Sequence, residues 1–270
     1  MLPDGLKPIG VFDSGVGGLT VLKELVLAFP HENFIYLGDT ARLPYGNKSA
    51  STIFKYLMQN IDFLLRQNVK AVVVACNSAS SALLSIDHND LPVPIYNVIE
   101  PGAALALSLS ATKRIGVIGT ASTVYQESYL RTLRNLDPET QVFQQACPLL
   151  VPLIEEGWLD DPLTNLVVHR YLQPLMAHDI DTLIMGCTHY PLLKKSIQKT
   201  TGPNVHLVHA AEAIAQSIFQ DMTSQRLMRS PQSNDGQVHL LTTDSHRRFT
   251  QVASRIMAPL PIGQIEHVDI

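Results

Sequence analysis

The chain repeats part of its own sequence, and this repeat restricts the folds open to it more than any other feature. The segment at 9–15, Ile-Gly-Val-Phe-Asp-Ser-Gly, resembles Ile-Gly-Val-Ile-Gly-Thr-Ala at 115–121. Farther along, Val-Val-Val-Ala-Cys-Asn-Ser at 72–78 resembles Leu-Ile-Met-Gly-Cys-Thr-His at 183–189. The two offsets, 106 and 111 residues, are nearly equal and the order is the same. The chain is therefore predicted to form two similar lobes.

Each lobe is predicted to be an α/β unit, because short apolar runs rich in β-branched residues alternate with stretches of helical period. The expected fold is two mostly parallel sheets flanked by helices, related by a pseudo-two-fold axis, with the active site between the lobes. The predicted strands are 9–12, 33–37, 69–75, 95–98, 114–118, 182–185, 205–208 and 238–242. The predicted helices lie in 19–29, 50–67, 122–136, 162–177 and 210–220.

A proline-rich stretch at 91–101 disfavours continued helix and predicts the crossover between the lobes. Lobe one is predicted to comprise 1–98 together with 210–270 and to carry Cys76. Lobe two is predicted to comprise 99–209 and to carry Cys187. The part after 209 is too short for a third domain, so we expect it to return to lobe one.

Composition argues against several classes of protein. The formal net charge is -4 and only 16% of residues are charged, so no basic surface for nucleic acid is expected. We find neither a secretory leader nor the roughly 18 uninterrupted apolar residues of a membrane helix, which predicts a cytoplasmic protein without a membrane partner. The three cysteines include no CxxC pair, which argues against disulfides and structural zinc, and no metal site is predicted.

Cys76 and Cys187 occupy equivalent positions in the repeat, each at the carboxyl end of a predicted strand, where open parallel sheets bind ligands. A cysteine is ordinarily a small buried hydrophobic residue, but apolar packing does not require the polar neighbours at 77–78 and 188–189. Racemisation of an amino acid requires a base on one face of the α-carbon and an acid on the other, and two thiols facing one cleft would supply both. One removes the α-proton and the other returns a proton to the opposite face.

Thiols need help to act as bases at neutral pH, since the pKa of a free cysteine is about 8.5. A downward pKa shift of roughly 1.5 units would be enough. The helix N-terminus predicted after each cysteine is expected to favour the thiolate, and Asp13 and His189 are the candidates for proton-handling neighbours. His189 could instead bind a metal with Cys187, but their spacing and the lack of a second ligand pair argue against this. Cys147 has no counterpart in the repeat and is expected to be structural.

The glycine-rich loop at 13–19 has two interpretations. It could begin a dinucleotide-binding fingerprint, since it opens a helix and Asp39 follows about twenty residues later. However, Thr20 stands where the third glycine is expected, and Asp13 would repel a pyrophosphate. We prefer a loop whose N–H groups and Ser14 hydroxyl hold a carboxylate.

Two further polar sites, Asp39 and the segment 44–46, each have more than one possible role. Asp39 fits a substrate-side carboxylate, a network carboxylate, or a helix or turn cap. Pro-Tyr-Gly at 44–46 either supplies additional N–H and hydroxyl donors to a ligand or is an ordinary turn.

The motifs quoted above, together with YLGDTARLPYG, CPLLVPLIEEG and IMGCTHYPLL, resemble those of the glutamate racemases over about residues 8–195. The resemblance implies an isomerase that needs no pyridoxal or other cofactor, makes D-glutamate for peptidoglycan, and is commonly a homodimer. It implies that Cys76 is the base for D-glutamate and Cys187 the base for L-glutamate.

The resemblance also implies roles for the neighbouring residues. Asp13 would assist Cys76, while Glu155 and His189 would assist Cys187, although Glu156 adjoins Glu155 and competes for its position. The family usually has Thr where this chain has Ser78, which keeps the hydroxyl. The residues implied to contact glutamate are Asp13, Ser14, Tyr45, Gly46, Asn77, Ser78, Thr188 and His189.

Three other functions stay open at this point. One is a racemase or decarboxylase of the same fold acting on aspartate or another small acid. Another is an NAD-type oxidoreductase built on the glycine loop. The third is a bilobed amino-acid-binding protein without catalysis, against which the paired cysteines argue.

Overall fold

The computed structural model describes residues 4–86, 90–230, 235–244 and 246–270. Its strands are β1 (Ile9–Asp13), β2 (Phe34–Gly38), β3 (Ala71–Val74), β4 (Ile95–Asn97), β5 (Arg114–Gly119), β6 (Gln141–Ala146), β7 (Thr182–Gly186), β8 (His206–Val208), β9 (Val238–Thr242) and β10 (Ile265–His267). Its helices are α1 (Leu19–Ala28), α2 (Ala50–Arg66), α3 (Asn77–Leu83), α4 (Ile99–Leu109), α5 (Ala121–Tyr125), α6 (Ser128–Leu136), α7 (Leu150–Glu155), α8 (Pro162–Met176), α9 (Lys194–Thr201), α10 (Ala210–Ser224) and α11 (His246–Met257). None of these helices is long and apolar enough to cross a membrane.

The strands form two parallel sheets with a shared order. The first sheet runs β10-β9-β2-β1-β3-β4 and the second runs β6-β5-β7-β8. In both, four strands lie in the order second, first, third, fourth along the chain, so the repeat seen in the sequence is a repeat of topology. The prediction of two mostly parallel α/β sheets is confirmed. Cys76 comes two residues after the third strand of the first sheet, and Cys187 directly after the third strand of the second.

Helices on both faces explain why the central strands are buried along their whole length. Every residue of β1, β3 and β7 is buried, as expected for parallel strands covered on two sides. The side chains of α1, α10 and α11 share one apolar cluster with the first sheet. These layers hold the carboxyl ends of β1 and β3 in place, where polar residues of the repeat lie.

Some elements differ from the prediction. The strands β6 and β10 were not predicted: β6 is an edge strand with partly exposed, polar side chains, and β10 is a three-residue edge strand. The single helix predicted over 122–136 is two helices, α5 and α6, because Glu127 adopts a left-handed conformation with φ 53°. The C-terminal part of the chain adds β9 and β10 to the first sheet.

Candidate active site

One cavity of about 290 Å³ is lined by both Cys76 and Cys187. The two side chains are only 5% and 6% exposed, so a ligand between them would be largely shielded from water. Residues from the ends of strands in both sheets form the walls. Of the other residues that the sequence singled out, those lining this cavity are Ser14, Pro44, Tyr45, Gly46, Asn77, Ser78, Glu155, Glu156, Thr188 and His189.

Cys76 is the residue that precedes the first turn of α3. Its sulfur lies 3.5 Å from the Ser14 hydroxyl oxygen. Burial, and after it the negative charge of Asp13, raise the pKa of the Cys76 thiol to about 12, and hydrogen bonds to Ser14 and Ala79 oppose this only in part. The expected lowering of its pKa by the helix is therefore wrong for this cysteine, because desolvation outweighs the helix N-terminus.

Asp13 lies behind the cavity wall and is not among the residues that line it. Its carboxylate is fully buried at the end of β1, accepts a hydrogen bond from the Gly15 N–H at 2.9 Å, and lies 3.4 Å from the Thr188 hydroxyl. Burial raises the pKa of the Asp13 carboxyl above its usual range, although the nearby His189 charge opposes this. The geometry therefore favours an action through Cys76 and Thr188 over the predicted direct contact with a ligand.

Cys187 belongs to a chain of three polar groups. The His189 Nδ1 atom lies 3.9 Å from the Cys187 sulfur, and His189 Nε2 lies 3.3 Å from a Glu155 carboxylate oxygen. Burial alone would lower the pKa of His189, but its hydrogen bonds to Cys187 and Glu155 raise it to about 10. The imidazole is thus positively charged at neutral pH. The contact also favours Glu155 over Glu156 for the acidic position.

Close packing between the lobes explains the glycine-rich loop. A Cβ atom at Gly17 would lie 2.4 Å from both the His189 ring and the Thr188 hydroxyl. The Thr20 hydroxyl, in the first turn of α1, donates to the Thr188 carbonyl oxygen at 3.0 Å. The start of α1 is therefore covered by residues 188–189 of the other lobe, which argues against the dinucleotide interpretation of this loop.

Asp39 is a network carboxylate. It is fully buried and accepts hydrogen bonds from Arg42 at 2.7 Å, from Asn60 at 3.3 Å and from the Tyr45 hydroxyl. Because the Tyr45 hydroxyl already donates to Asp39, this contact argues against the prediction that the hydroxyl donates to a ligand. The turn containing Tyr45 and Gly46 still lines the cavity, and its remaining donors are backbone N–H groups.

Sequence reasoning missed Thr120. Its hydroxyl lines the cavity and lies 2.9 Å from the Ser78 hydroxyl across the two lobes. The repeat contained the signal, because Thr120 in 115–121 corresponds to Ser14 in 9–15. A proline-containing wall formed by Pro148, Val151 and Pro152 was also missed. Across the described part of the chain, no group of three His, Cys, Asp or Glu side chains could hold a metal ion.

Comparisons with known proteins agree with this arrangement. The model of the Asp/Glu/Hydantoin racemase family matches residues 33–218. A glutamate racemase of Syntrophus aciditrophicus is 47% identical over 252 residues, 93% of each chain. Among solved structures, a glutamate racemase isoform from Bacillus anthracis superposes with a TM-score of 0.93 at 36% identity, over 98% of both chains. The glutamate racemase of Francisella tularensis, solved with D-glutamate, gives a TM-score of 0.91 at 33% identity, over 98% of both chains. The chain belongs to the Asp/Glu/hydantoin racemase family and, within it, to the glutamate racemases.

Proposed function

We propose that this protein interconverts L- and D-glutamate by proton transfer at the α-carbon, without a cofactor, and supplies D-glutamate for peptidoglycan. The observation that carries the proposal is the pair of buried cysteines, at the ends of topologically equivalent strands, that line one cavity. A racemase must reach both faces of one carbon atom, and two residues related by a repeat of the fold are suited to that task. A pseudo-two-fold relation between lobes 1–98 plus 210–270 and 99–209 is part of this proposal.

The two cysteines differ in their surroundings, and this difference suits a turnover in which one cysteine accepts a proton and the other donates one. Burial and the charge of Asp13 keep the Cys76 thiol protonated at neutral pH, since its pKa is raised to about 12. The Cys187 sulfur instead lies 3.9 Å from the charged ring of His189. In the direction from L- to D-glutamate, we propose that Cys187 accepts a proton and Cys76 donates one.

In that direction the α-C–H bond breaks and its proton moves to the Cys187 sulfur. The S–H bond of Cys76 breaks in turn, and its proton forms the new C–H bond on the opposite face, giving D-glutamate. The reverse reaction starts from the opposite protonation states, with Cys76 as base. Exclusion of water prevents the carbanion-like intermediate from being protonated at random.

Neutral donors around the cysteines are proposed to hold the two carboxylates. Hydroxyl groups of Ser14, Ser78, Thr120 and Thr188 and the amide of Asn77 line the same cavity. Its volume of about 290 Å³ is at the small end of ligand pockets, whose typical range is ~300–1,000 Å³. The site thus fits a small dicarboxylic amino acid better than a nucleotide.

The assembly and compartment are proposals as well. We propose a homodimer, because large apolar side chains are exposed on the second lobe, where a partner would cover them. These are Leu109, Tyr125, Leu136, Leu149, Trp158, Leu163 and Leu166. The three free cysteines suit the reducing cytoplasm. Analytical ultracentrifugation tests the dimer, and a monomer at micromolar concentration would contradict it.

Polarimetry without added pyridoxal phosphate tests the function. Solutions of L-glutamate and of D-glutamate are each expected to lose optical rotation until both reach zero, at equal kcat/KM, because the enantiomers are equally stable. L- and D-aspartate serve as the control substrates. Absence of turnover of glutamate, or faster turnover of aspartate, would contradict the proposal.

A further inference from the structure

A hydrogen bond between the two lobes connects the candidate site to a tyrosine that does not line the cavity. The Tyr129 hydroxyl, on α6, donates to the side-chain oxygen of Asn77 at 2.8 Å. Tyr129 is fully buried, and Asn77 follows Cys76 directly at the start of α3. Asn77 lines the cavity, whereas Tyr129 does not.

We propose that Tyr129 is a positioning residue that fixes the orientation of the Asn77 amide for substrate binding. An asparagine amide has an oxygen that accepts and a nitrogen that donates hydrogen bonds. With the oxygen held by Tyr129, the nitrogen is the end left to donate to a carboxylate of the ligand. The inference rests on the proposed function, since it takes glutamate as that ligand.

The position of Tyr129 is set independently of Asn77. A Cβ atom at Gly186 would lie 3.0 Å from the Tyr129 ring, so the ring packs closely against the residue that precedes Cys187. Tyr129 also belongs to an apolar cluster with Leu133 and Ile184 of the second lobe. Packing within the second lobe therefore fixes the position of the Tyr129 hydroxyl that donates to Asn77 of the first lobe.

The phenol is suited to donate. Burial, and after it the Cys187 charge, raise the pKa of Tyr129 above its ordinary value, so the hydroxyl keeps its proton over the whole working range of pH. If the amide turned around, its nitrogen would face a hydroxyl and its oxygen would face the ligand. A carboxylate would then meet an oxygen, which is repulsive.

Tyr129→Phe tests the proposal because it removes the hydroxyl and keeps the ring. We expect KM for L- and D-glutamate to rise about tenfold, equivalent to about 1.4 kcal/mol, and kcat to stay within twofold. A carboxylate is charged both in the bound substrate and in the transition state, so a hydrogen bond to it contributes to both, and its loss raises KM more than it lowers kcat. A general loosening of the site would instead lower kcat. Tyr96→Phe is the control, since it removes a phenol that bonds Asp221 away from the cavity.

A double-mutant cycle with Asn77→Ala tests whether Tyr129 acts through Asn77. In the Asn77→Ala background, Tyr129→Phe is expected to change KM by less than twofold. Full additivity, or an unchanged KM in the single Tyr129→Phe variant, would overturn the inference.

Asn77→Asp supplies a readout that does not depend on the folding of the tyrosine variant. It keeps an acceptor for Tyr129 but replaces the donating nitrogen with oxygen, so KM should rise more than tenfold. An unchanged KM would also overturn the inference.

If the wild-type protein does not racemise glutamate at all, the proposed function fails. If the wild-type protein is active and the Tyr129→Phe variant is unaffected, only the present inference is refuted.

Discussion

A methyl group at position 17 is expected to disable the enzyme without unfolding it. In Gly17→Ala, the new Cβ would lie 2.4 Å from both His189 Nδ1 and the Thr188 hydroxyl oxygen. Non-bonded heavy atoms prefer about 3.5 Å or more, so these groups would have to retreat by about 1 Å. The backbone of Gly17 is outside the left-handed region, so the substitution introduces steric overlap without backbone strain.

His189 has little room to move away from the new methyl group. His189 is only 4% exposed and contacts Cys187 on one side and Glu155 on the other. Either the ring moves away from the Cys187 sulfur or the two lobes separate. Because a displacement of 1 Å in a catalytic site can cost about 10²-fold, we expect kcat/KM to fall by about two orders of magnitude. The free energy of unfolding should fall by only about 1–3 kcal/mol, as for other overpacked sites.

The assay measures kcat/KM with each enantiomer, together with urea unfolding. Both directions must lose activity equally, since the enantiomers are equally stable. Gly5→Ala is the matched control, because its Cβ would meet nothing closer than 3.5 Å; it should retain wild-type kcat/KM. A folded Gly17→Ala protein with kcat/KM within twofold of wild type would refute the reasoning.

Two further substitutions test individual groups. Glu155→Gln removes a carboxylate that helps raise the pKa of His189 to about 10, so the His189 pKa should fall and the alkaline limb of the kcat/KM profile should move to lower pH. Glu156→Gln is the control. If the alkaline limb does not move in Glu155→Gln, the contact between Glu155 and His189 is contradicted. The charged imidazole also stabilises the fold, fully below the unfolded histidine pKa of about 6.5 and progressively less as pH rises towards 10. Tyr45→Phe should leave KM within twofold of the wild-type value, because the wild-type Tyr45 hydroxyl donates to Asp39. The loss of this buried hydrogen bond should reduce the free energy of unfolding by about 1–3 kcal/mol. A large increase in KM would show that the Tyr45 hydroxyl contacts the substrate.

The sequence predicted the two sheets because the repeat and the apolar runs are local signals. Strands such as β1 and β7 are buried throughout, and their apolar composition reports this directly. The polar edge strand β6 has no such signature, since its backbone pairing with β5 rather than side-chain burial holds it.

The candidate site was only partly visible in the sequence. The two cysteines could be named from the repeat, but contacts between the lobes join residues that are far apart in the chain. Tyr129 and Asn77 are 52 positions apart, and Asp13 and Thr188 are 175 apart. The pKa of Cys76 depends on its burial, which only the folded chain determines, and burial reversed the direction that the helix alone predicted.

Deuterium incorporation tests most directly whether two separate sulfur atoms serve the two faces of the α-carbon. In deuterated water, the product formed in the first few per cent of the reaction should carry deuterium at the α-carbon, while unreacted substrate keeps protium. This result is expected from L- and from D-glutamate alike, because the cysteine that donates has exchanged its proton with solvent before substrate binds. Early product that retains the protium of its substrate would mean that one base returns the proton it removed, and would contradict the two-cysteine account.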